Sequence, residues 1–281
     1  MKNGTIIIPT HKIERDRKYN ILTLLEDLSK MDNIEQYNVL VVANGIIGND
    51  LEELRHTIPW KENFWLNVNP NPIGLSSAWN TGIDFSNHWD GEYVFFLNHD
   101  VHFVGEDSDE NVFDRMIREK EAFEVKSLLN VFIFGVEGTY QSPPTNVQMV
   151  ARFQQGQFGA TQAVSEVSGF LFGTTRSNIF HVRGLGYPFF DKKLNPCFYE
   201  EMDMYLLTNK LQETEVDNRW INIIIPFVPY EHEFGLSAEH PYSTKIQWTE
   251  EGTGRPMEAY LREISTKNKA YIETKWGVRL G

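Results

Sequence analysis

The segment Asn98-His99-Asp100-Val101-His102 directly follows the apolar run Tyr93 to Leu97. In an extended chain alternate side chains share a face, so Asn98, Asp100 and His102 are expected together. A carboxylate flanked by an amide and an imidazole can hold a divalent cation that keeps water and phosphate oxygens as further ligands. The ordinary alternative is that Asp100 caps a turn and the histidines pack locally. A second cluster, Tyr199-Glu200-Glu201-Met202-Asp203, places three acids at the start of a helical pattern. The helix dipole favours negative charge there, and a carboxylate in reach of an acceptor hydroxyl can serve as general base. Glu200 and Asp203 are three apart and can share a face, while Glu201 points elsewhere. A third candidate is His232, in His232-Glu233-Phe234-Gly235-Leu236-Ser237, expected just past the apolar run Ile221 to Phe227. A lone imidazole serves either as packing or as a ligand.

Other chemistries are excluded by what is missing. Neither GxxxxGK[ST] nor GxGxxG occurs, so the common glycine-rich phosphate cradles are absent. The single cysteine, Cys197, cannot form an intrachain disulfide and has no convincing catalytic partner. The formal charge of −13 repels phosphate backbones, which argues against broad nucleic-acid binding. A small anion can still bind where a metal or a helix N-terminus supplies positive charge. Apolar runs such as Tyr93 to Leu97 and Ile223 to Val228 fall far short of the ~20 residues of a membrane span. Ile6 to Ile8 is too short for a signal-peptide core, so a soluble, cytoplasmic protein is expected. Trp220, Trp248 and Trp276 read as core or sugar-stacking residues, and Glu106 to Glu110 as a solvated acidic surface.

The elements that must position these residues alternate along the first hundred positions. Thr5 to Pro9, Val39 to Val42, Phe64 to Val68 and Tyr93 to Leu97 are short apolar runs ended by turn residues. Between them, Ile21, Leu24, Leu25 and Leu28 give Tyr19 to Met31 a helical stripe. Asn49 is placed to cap a helix through Leu54, and Ser76 or Ser77 to start one reaching Phe85. Continuously apolar strands alternating with helices predict an α/β fold, a mainly parallel central sheet with helices on both faces. Ligands in such sheets bind beyond the carboxyl ends of the strands. Further on, Val112 to Lys126, Phe198 to Leu211 and Pro256 to Trp276 read as helices, the last a C-terminal tail on the surface. Leu129 to Phe134 and Ile221 to Phe227 read as strands, Gly169 to Gly173 as a short buried run, and Gln141 to Gln157 has no clear period. Three stretches follow: a ligand-binding half over 1–105, an acceptor or catalytic half of the same domain over 106–237, and the tail over 238–281.

Several segments together resemble the family 2 glycosyltransferases of the GT-A fold. Ile6-Ile7-Ile8-Pro9-Thr10 resembles that family's opening strand, and Val39 to Gly45 its second strand with the Asp-Asn-Gly turn. Asn71-Pro72-Ile73-Gly74, Ala78, Asn80 and Gly82 resemble its Asn-x-x-Gly…Asn-x-Gly segment. Phe96 to Asp100 resembles the Leu-Asn-Pro-Asp form of its metal-binding motif. Ser168-Gly169-Phe170, Gly184 to Phe190 and Phe198 to Asp203 resemble its glycine turn and acidic segment, and His232-x-x-Gly235-x-Ser237 its late histidine segment. The resemblance covers about residues 5 to 237 and is nearest to bacterial or phage rhamnosyltransferase-like members.

The resemblance implies a transferase that moves a sugar from a nucleotide-diphosphate sugar to a hydroxyl acceptor with inversion, using Mn²⁺ or Mg²⁺. It implies that Thr10, His11, Asn44, Gly74 and Asn80 form the nucleotide site. Asp100 would bind the metal with His232, and Asn98 or His102 are alternative further ligands. Glu201 would be the base, with Gly169, Glu200 and Asp203 on the sugar or acceptor side. The sequence departs from the family pattern at Ala43, where an aspartate is usual, at His99 in place of proline, and at Glu201, one methylene longer than aspartate. Asp100-Val101-His102 is also similar to the Asp-x-His of some retaining enzymes. A nucleotidyltransferase remains the first alternative, with Lys12, Arg15 and Arg17 partly imitating its basic loop. The second is a non-catalytic glycan-binding module, to which Ala43 points. A glycan hydroxyl is the expected acceptor, and a modified nucleic-acid base is the one nucleic-acid partner left open.

Overall fold

The computed structural model describes residues 2–15, 18–59, 61–103, 111–136, 149–152, 160–164, 167, 169–195, 199–215, 219–226, 228, 230–234 and 257–280. Glu106 to Glu110, Ser168, Cys197, Phe198, Gly235, Ser237 and Trp248 lie outside them, as do Arg17 and most of Gln141 to Gln157.

The first half alternates strand and helix as its apolar runs predict. In chain order come β1 (Gly4–Thr10), α1 (Ile21–Lys30), β2 (Tyr37–Asn44), α2 (Gly48–Thr57), β3 (Phe64–Asn69), α3 (Leu75–Phe85) and β4 (Tyr93–Leu97). Then follow β5 (Val101–Phe103), α4 (Val112–Ser127), β6 (Asn130–Val136), β7 (Met149–Arg152), β8 (Gln162–Val164), β9 (Leu171–Thr175) and α5 (Arg176–Gly184). The chain ends with α6 (Glu200–Thr214), β10 (Trp220–Ile225), β11 (Tyr230–Phe234) and α7 (Met257–Trp276).

Eight strands form one sheet in the order β3-β2-β1-β4-β9-β6-β10-β8, and β5-β11-β7 form a second, antiparallel sheet. The pairs β3-β2, β2-β1, β1-β4 and β6-β10 are parallel. The fold is therefore mixed α/β with a mainly parallel central sheet, and strands from both halves of the chain share that sheet. Side chains of one strand alternate between two cores. Ile6 and Ile8 join α1 and α4 residues such as Leu24, Leu28, Phe113 and Met116. Ile7 joins Trp79 and Ile83 of α3, Ile179 of α5 and Leu207 of α6. Helices thus cover both faces. Each fully buried isoleucine contributes about 1.5–3 kcal/mol.

β9 runs antiparallel between β4 and β6; a strand buried on both faces is apolar throughout, and its direction leaves no mark on periodicity. One expectation needs correction. Asn49 does not cap α2, because the helix begins one residue earlier at Gly48, with Ile47 in the cap position. α4 forms where the sequence places a helix and buries Phe113 and Met116 on one side. The C-terminal tail is helical as expected, and α7 packs on the body of the protein through buried Ile264, Asn268 and Ile272.

Candidate active site

β1, β2 and β4 are parallel neighbours, so the loops after their carboxyl ends leave one edge of the sheet. Thr10 closes β1, buried, its Oγ1 donating to the Lys12 carbonyl at 3.2 Å. The His11 ring sits edge-on to His99, centroids 6.4 Å apart, which joins the loop after β1 to the loop after β4. His99 Nε2 lies 3.5 Å from Oε2 of Glu14, a fully buried carboxylate. Asn44 closes β2 and is also buried; its Oδ1 accepts from the Ile73 N–H at 2.9 Å, drawing the loop before α3 onto the same edge. Gly74 follows in a conformation with φ +69, open to glycine but strained for a side chain, and begins α3. Asn80, on α3, donates from Nδ2 to the Phe190 carbonyl at 2.7 Å.

Asp100 and His232 meet across the small sheet. Asp100 Oδ1 is 3.1 Å from His232 Nε2, both side chains are largely buried, and the imidazole stacks on Phe170 with centroids 4.6 Å apart. His232 lies within β11 rather than past a strand, opposite Val101 of β5. One carboxylate oxygen and one imidazole make a partial shell for a hard or borderline divalent cation, with the remaining positions left to phosphate oxygens and water. Among the described residues no group of three or more His, Cys, Asp or Glu side chains could hold a metal ion. The pair therefore fits a metal only where a substrate completes its coordination.

His102 does not join that pair. Asp100 is in a turn, so the extended alternation from Asn98 to His102 is broken before β5 begins. His102 Nδ1 lies 2.6 Å from Asp27 Oδ2 on α1, and its ring stacks on Tyr19 at 4.8 Å. Burial pushes the Asp27 carboxyl up, against the pull of His102. This cluster fastens β5 to α1. Asn98 enters the site by its backbone, donating to the Phe170 carbonyl at 2.8 Å.

That hydrogen bond brings in Gly169, whose absent side chain makes room for Glu201. A Cβ on Gly169 would stand 2.9 Å from Glu201 Cδ. Glu200 and Glu201 both line a small, partly open cavity of about 20 Å³ with Trp79, Phe190 and Tyr205. Asp203 is not with them. It faces α7, where Lys275 Nζ lies 2.8 and 2.9 Å from its two oxygens and Trp276 Nε1 donates at 2.7 Å. Burial raises the Asp203 carboxyl, and the Lys275 charge and both hydrogen bonds oppose that rise. Glu200 and Asp203 do share the buried face of α6, as their spacing predicts, but α7 claims the Asp203 carboxylate.

Sequence spacing missed the partners Glu14 and Asp27, which lie 85 and 75 positions from the histidines they meet and leave no local pattern. Arg15, read as part of a basic loop, is instead paired with Asp50 and Glu53 of α2.

No protein-family model matches the chain, and no curated protein sequence matches it. Solved structures similar to it include TarS of S. aureus, with 17% identity and a TM-score of 0.49 over 93% of this chain. Residues 1–349 of TarS in complex with UDP-GlcNAc align at 16% identity and a TM-score of 0.47, over 81% of this chain and 57% of that one. The mannosyltransferase PcManGT from Pyrobaculum calidifontis, in complex with GDP-Man and Mn²⁺, aligns at 17% identity and a TM-score of 0.46, over 80% of this chain and 55% of that one. The chain spans 42% of the length of TarS. Among the described residues no helix is long and apolar enough to cross a membrane.

Proposed function

We propose that the protein is a divalent-metal-dependent glycosyltransferase of GT-A type. It would transfer a hexosyl or deoxyhexosyl group from a nucleotide-diphosphate sugar to a hydroxyl acceptor, with inversion. The observation that carries this is the meeting of Asp100 with His232, joined through Phe170 and Gly169 to the carboxylate of Glu201. Thr10, His11, Asn44, Gly74 and Asn80 line or shape the nucleotide side. A cation held by Asp100 and His232 would offset the negative charge developing on the departing diphosphate. Glu201 takes the proton of the acceptor hydroxyl as that oxygen bonds to the anomeric carbon, and the bond from that carbon to the diphosphate oxygen breaks. Gly169 leaves the carboxylate its position, and Glu200 borders the same cavity on the acceptor side.

The test is a thermal-shift panel of UDP-glucose, UDP-GlcNAc, GDP-mannose and dTDP-rhamnose, each with and without Mn²⁺. A donor at 100 times its dissociation constant adds about 2.7 kcal/mol of stability. Stabilisation that needs both donor and metal supports the assignment. Stabilisation by none of the four overturns it, and turnover of a sugar 1-phosphate with a nucleoside triphosphate would replace it with nucleotidyl transfer.

A further inference from the structure

The first turn of α6 carries Glu201, yet among the described residues no side chain caps it. Tyr199, in the left-handed conformation at φ +71, precedes the helix without a capping hydrogen bond. What fixes this turn comes from the last turn of α7. The Lys275 ammonium has three N–H donors, and three carboxylate oxygens lie around it: both oxygens of Asp203 at 2.8 and 2.9 Å, and Asp191 Oδ2 at 2.9 Å. The Trp276 indole donates to Asp203 Oδ1, and the Tyr271 hydroxyl to Asp191 Oδ2 at 2.6 Å. Asp191 directly follows Phe190, the residue whose carbonyl Asn80 holds from α3. The Trp276 ring also stacks on Tyr187 at 6.0 Å. Asp191 and Asp203 are both buried. Apolar residues would attach a helix at lower desolvation cost than this cluster. Directional donors aimed at one residue of the first turn do something apolar contacts cannot: they set its orientation.

We propose that Lys275 and Trp276 are positioning residues for Glu201. By holding Asp203, two residues on in the same turn, they fix where the Glu201 carboxylate lies against Gly169. Through Asp191, Lys275 also fixes Phe190, which borders the cavity beside Glu200 and Glu201. The inference rests on the proposed role of Glu201 as base.

The test compares the full-length wild type with Lys275→Gln, Lys275→Arg and Glu201→Gln. Amide hydrogen exchange follows the segment Asp203 to Leu207, and Mn²⁺-dependent hydrolysis of UDP-GlcNAc and GDP-mannose follows turnover. In Lys275→Gln, exchange in that segment is expected to rise at least about tenfold while the β1–β4 strands stay protected. Its kcat should fall by about 10- to 10²-fold, the scale set by a small misplacement of a reacting group, with KM little changed. Lys275→Arg should recover most of both. If Lys275→Gln does not fold, Trp276→Phe, which keeps the ring and loses the N–H, is read in its place. Unchanged exchange and unchanged kcat in a folded Lys275→Gln overturn the inference. Faster exchange in Lys275→Gln together with wild-type turnover by Glu201→Gln supports the clamp and overturns the base assignment instead.

Discussion

Gly169 and Glu201 are packed so closely that a side chain on the first would displace the carboxylate of the second: a Cβ on Gly169 would lie 2.9 Å from Glu201 Cδ and closer still to Oε1. The obstructed atoms are the far end of a flexible side chain, so Gly169→Ala can be accommodated by moving Glu201 rather than by unfolding. The variant is expected to keep its melting temperature and lose turnover by up to about 10²-fold, since small displacements of a reacting group are that costly. A paired thermal melt and rate measurement checks this; a fall in melting temperature with unchanged specific activity would show that the contact is packing alone.

Glu200 and Glu201 share a cavity but differ in their neighbours, since the three atoms nearest a Cβ on Gly169 all belong to Glu201. Glu201→Gln keeps the shape and removes the proton acceptor, so donor binding should persist while transfer falls about 10²- to 10⁴-fold. Glu200→Gln should cost less. Donor affinity and transfer rate are measured for both variants side by side. A dead Glu200→Gln beside a near-normal Glu201→Gln would move the base by one residue.

Much of the fold was legible because parallel strands buried on both faces announce themselves as continuous apolar runs, and the amphipathic stripe of α1 lies where Ile21, Leu24, Leu25 and Leu28 predict. The site was legible only in part. Asp100 and His232 were each visible from residue type, but their meeting depends on β5 pairing with β11 over 132 positions of sequence. The partners of Asp203 and His102 were not legible for one reason: local periodicity says which face a side chain takes, as it does for Asp203, not which distant element claims it. Lys275 and Asp27, the claimants, lie 72 and 75 positions away.

Gly82 tests the packing that supports the nucleotide side. A Cβ there would come within 3.2 Å of Ile7 Cδ1 and closer still to its Cγ2. Two effects of Gly82→Ala oppose each other. Alanine favours the helix by up to about 1 kcal/mol, while overpacking a full core costs about 1–3 kcal/mol. Ile7 sits in β1, between β2 and β4 with no room to retreat, so the cost should win. Urea unfolding is expected to show a net loss, and a gain in stability would mean that α3 can ride outward.

Asp191 gives a pH dependence with a definite sign. Burial alone would raise its carboxyl, but hydrogen bonds from Tyr271, the Lys193 N–H and Lys275 outweigh that and hold it below its ordinary value of 3.8. A depressed carboxyl adds stability that is complete above the unfolded-state value and is lost as pH falls through the native one. Unfolding free energies of wild type and Asp191→Asn, measured from about pH 6 down to pH 3, should therefore converge toward the acid end. Asp203, raised by burial, works in the opposite sense: its share is present at low pH and fades as pH rises through its native value. A gap between wild type and Asp191→Asn that stays constant with pH would show that Asp191 is not held in the charged form.

The metal assignment separates Asp100 from His232. The two converge at 3.1 Å, but they are not equivalent as ligands. A hard divalent cation such as Mg²⁺ favours oxygen donors, while imidazole suits softer metals better. Asp100 is also the only carboxylate between Asn98 and His102. Asp100→Ala should abolish the Mn²⁺-dependent part of nucleotide-sugar binding, and His232→Ala should weaken it less. The imidazole stacked on Phe170 also supports the small sheet, so His232→Ala has a second consequence. His232→Gln, which keeps bulk and polarity in that place, separates ligation from packing. If His232→Gln matches wild type in thermal stability and still binds Mn²⁺ weakly, the imidazole is a ligand. If Asp100→Ala retains full Mn²⁺-dependent binding of the panel donor, neither residue holds the metal and the pair is a structural link between β5 and β11.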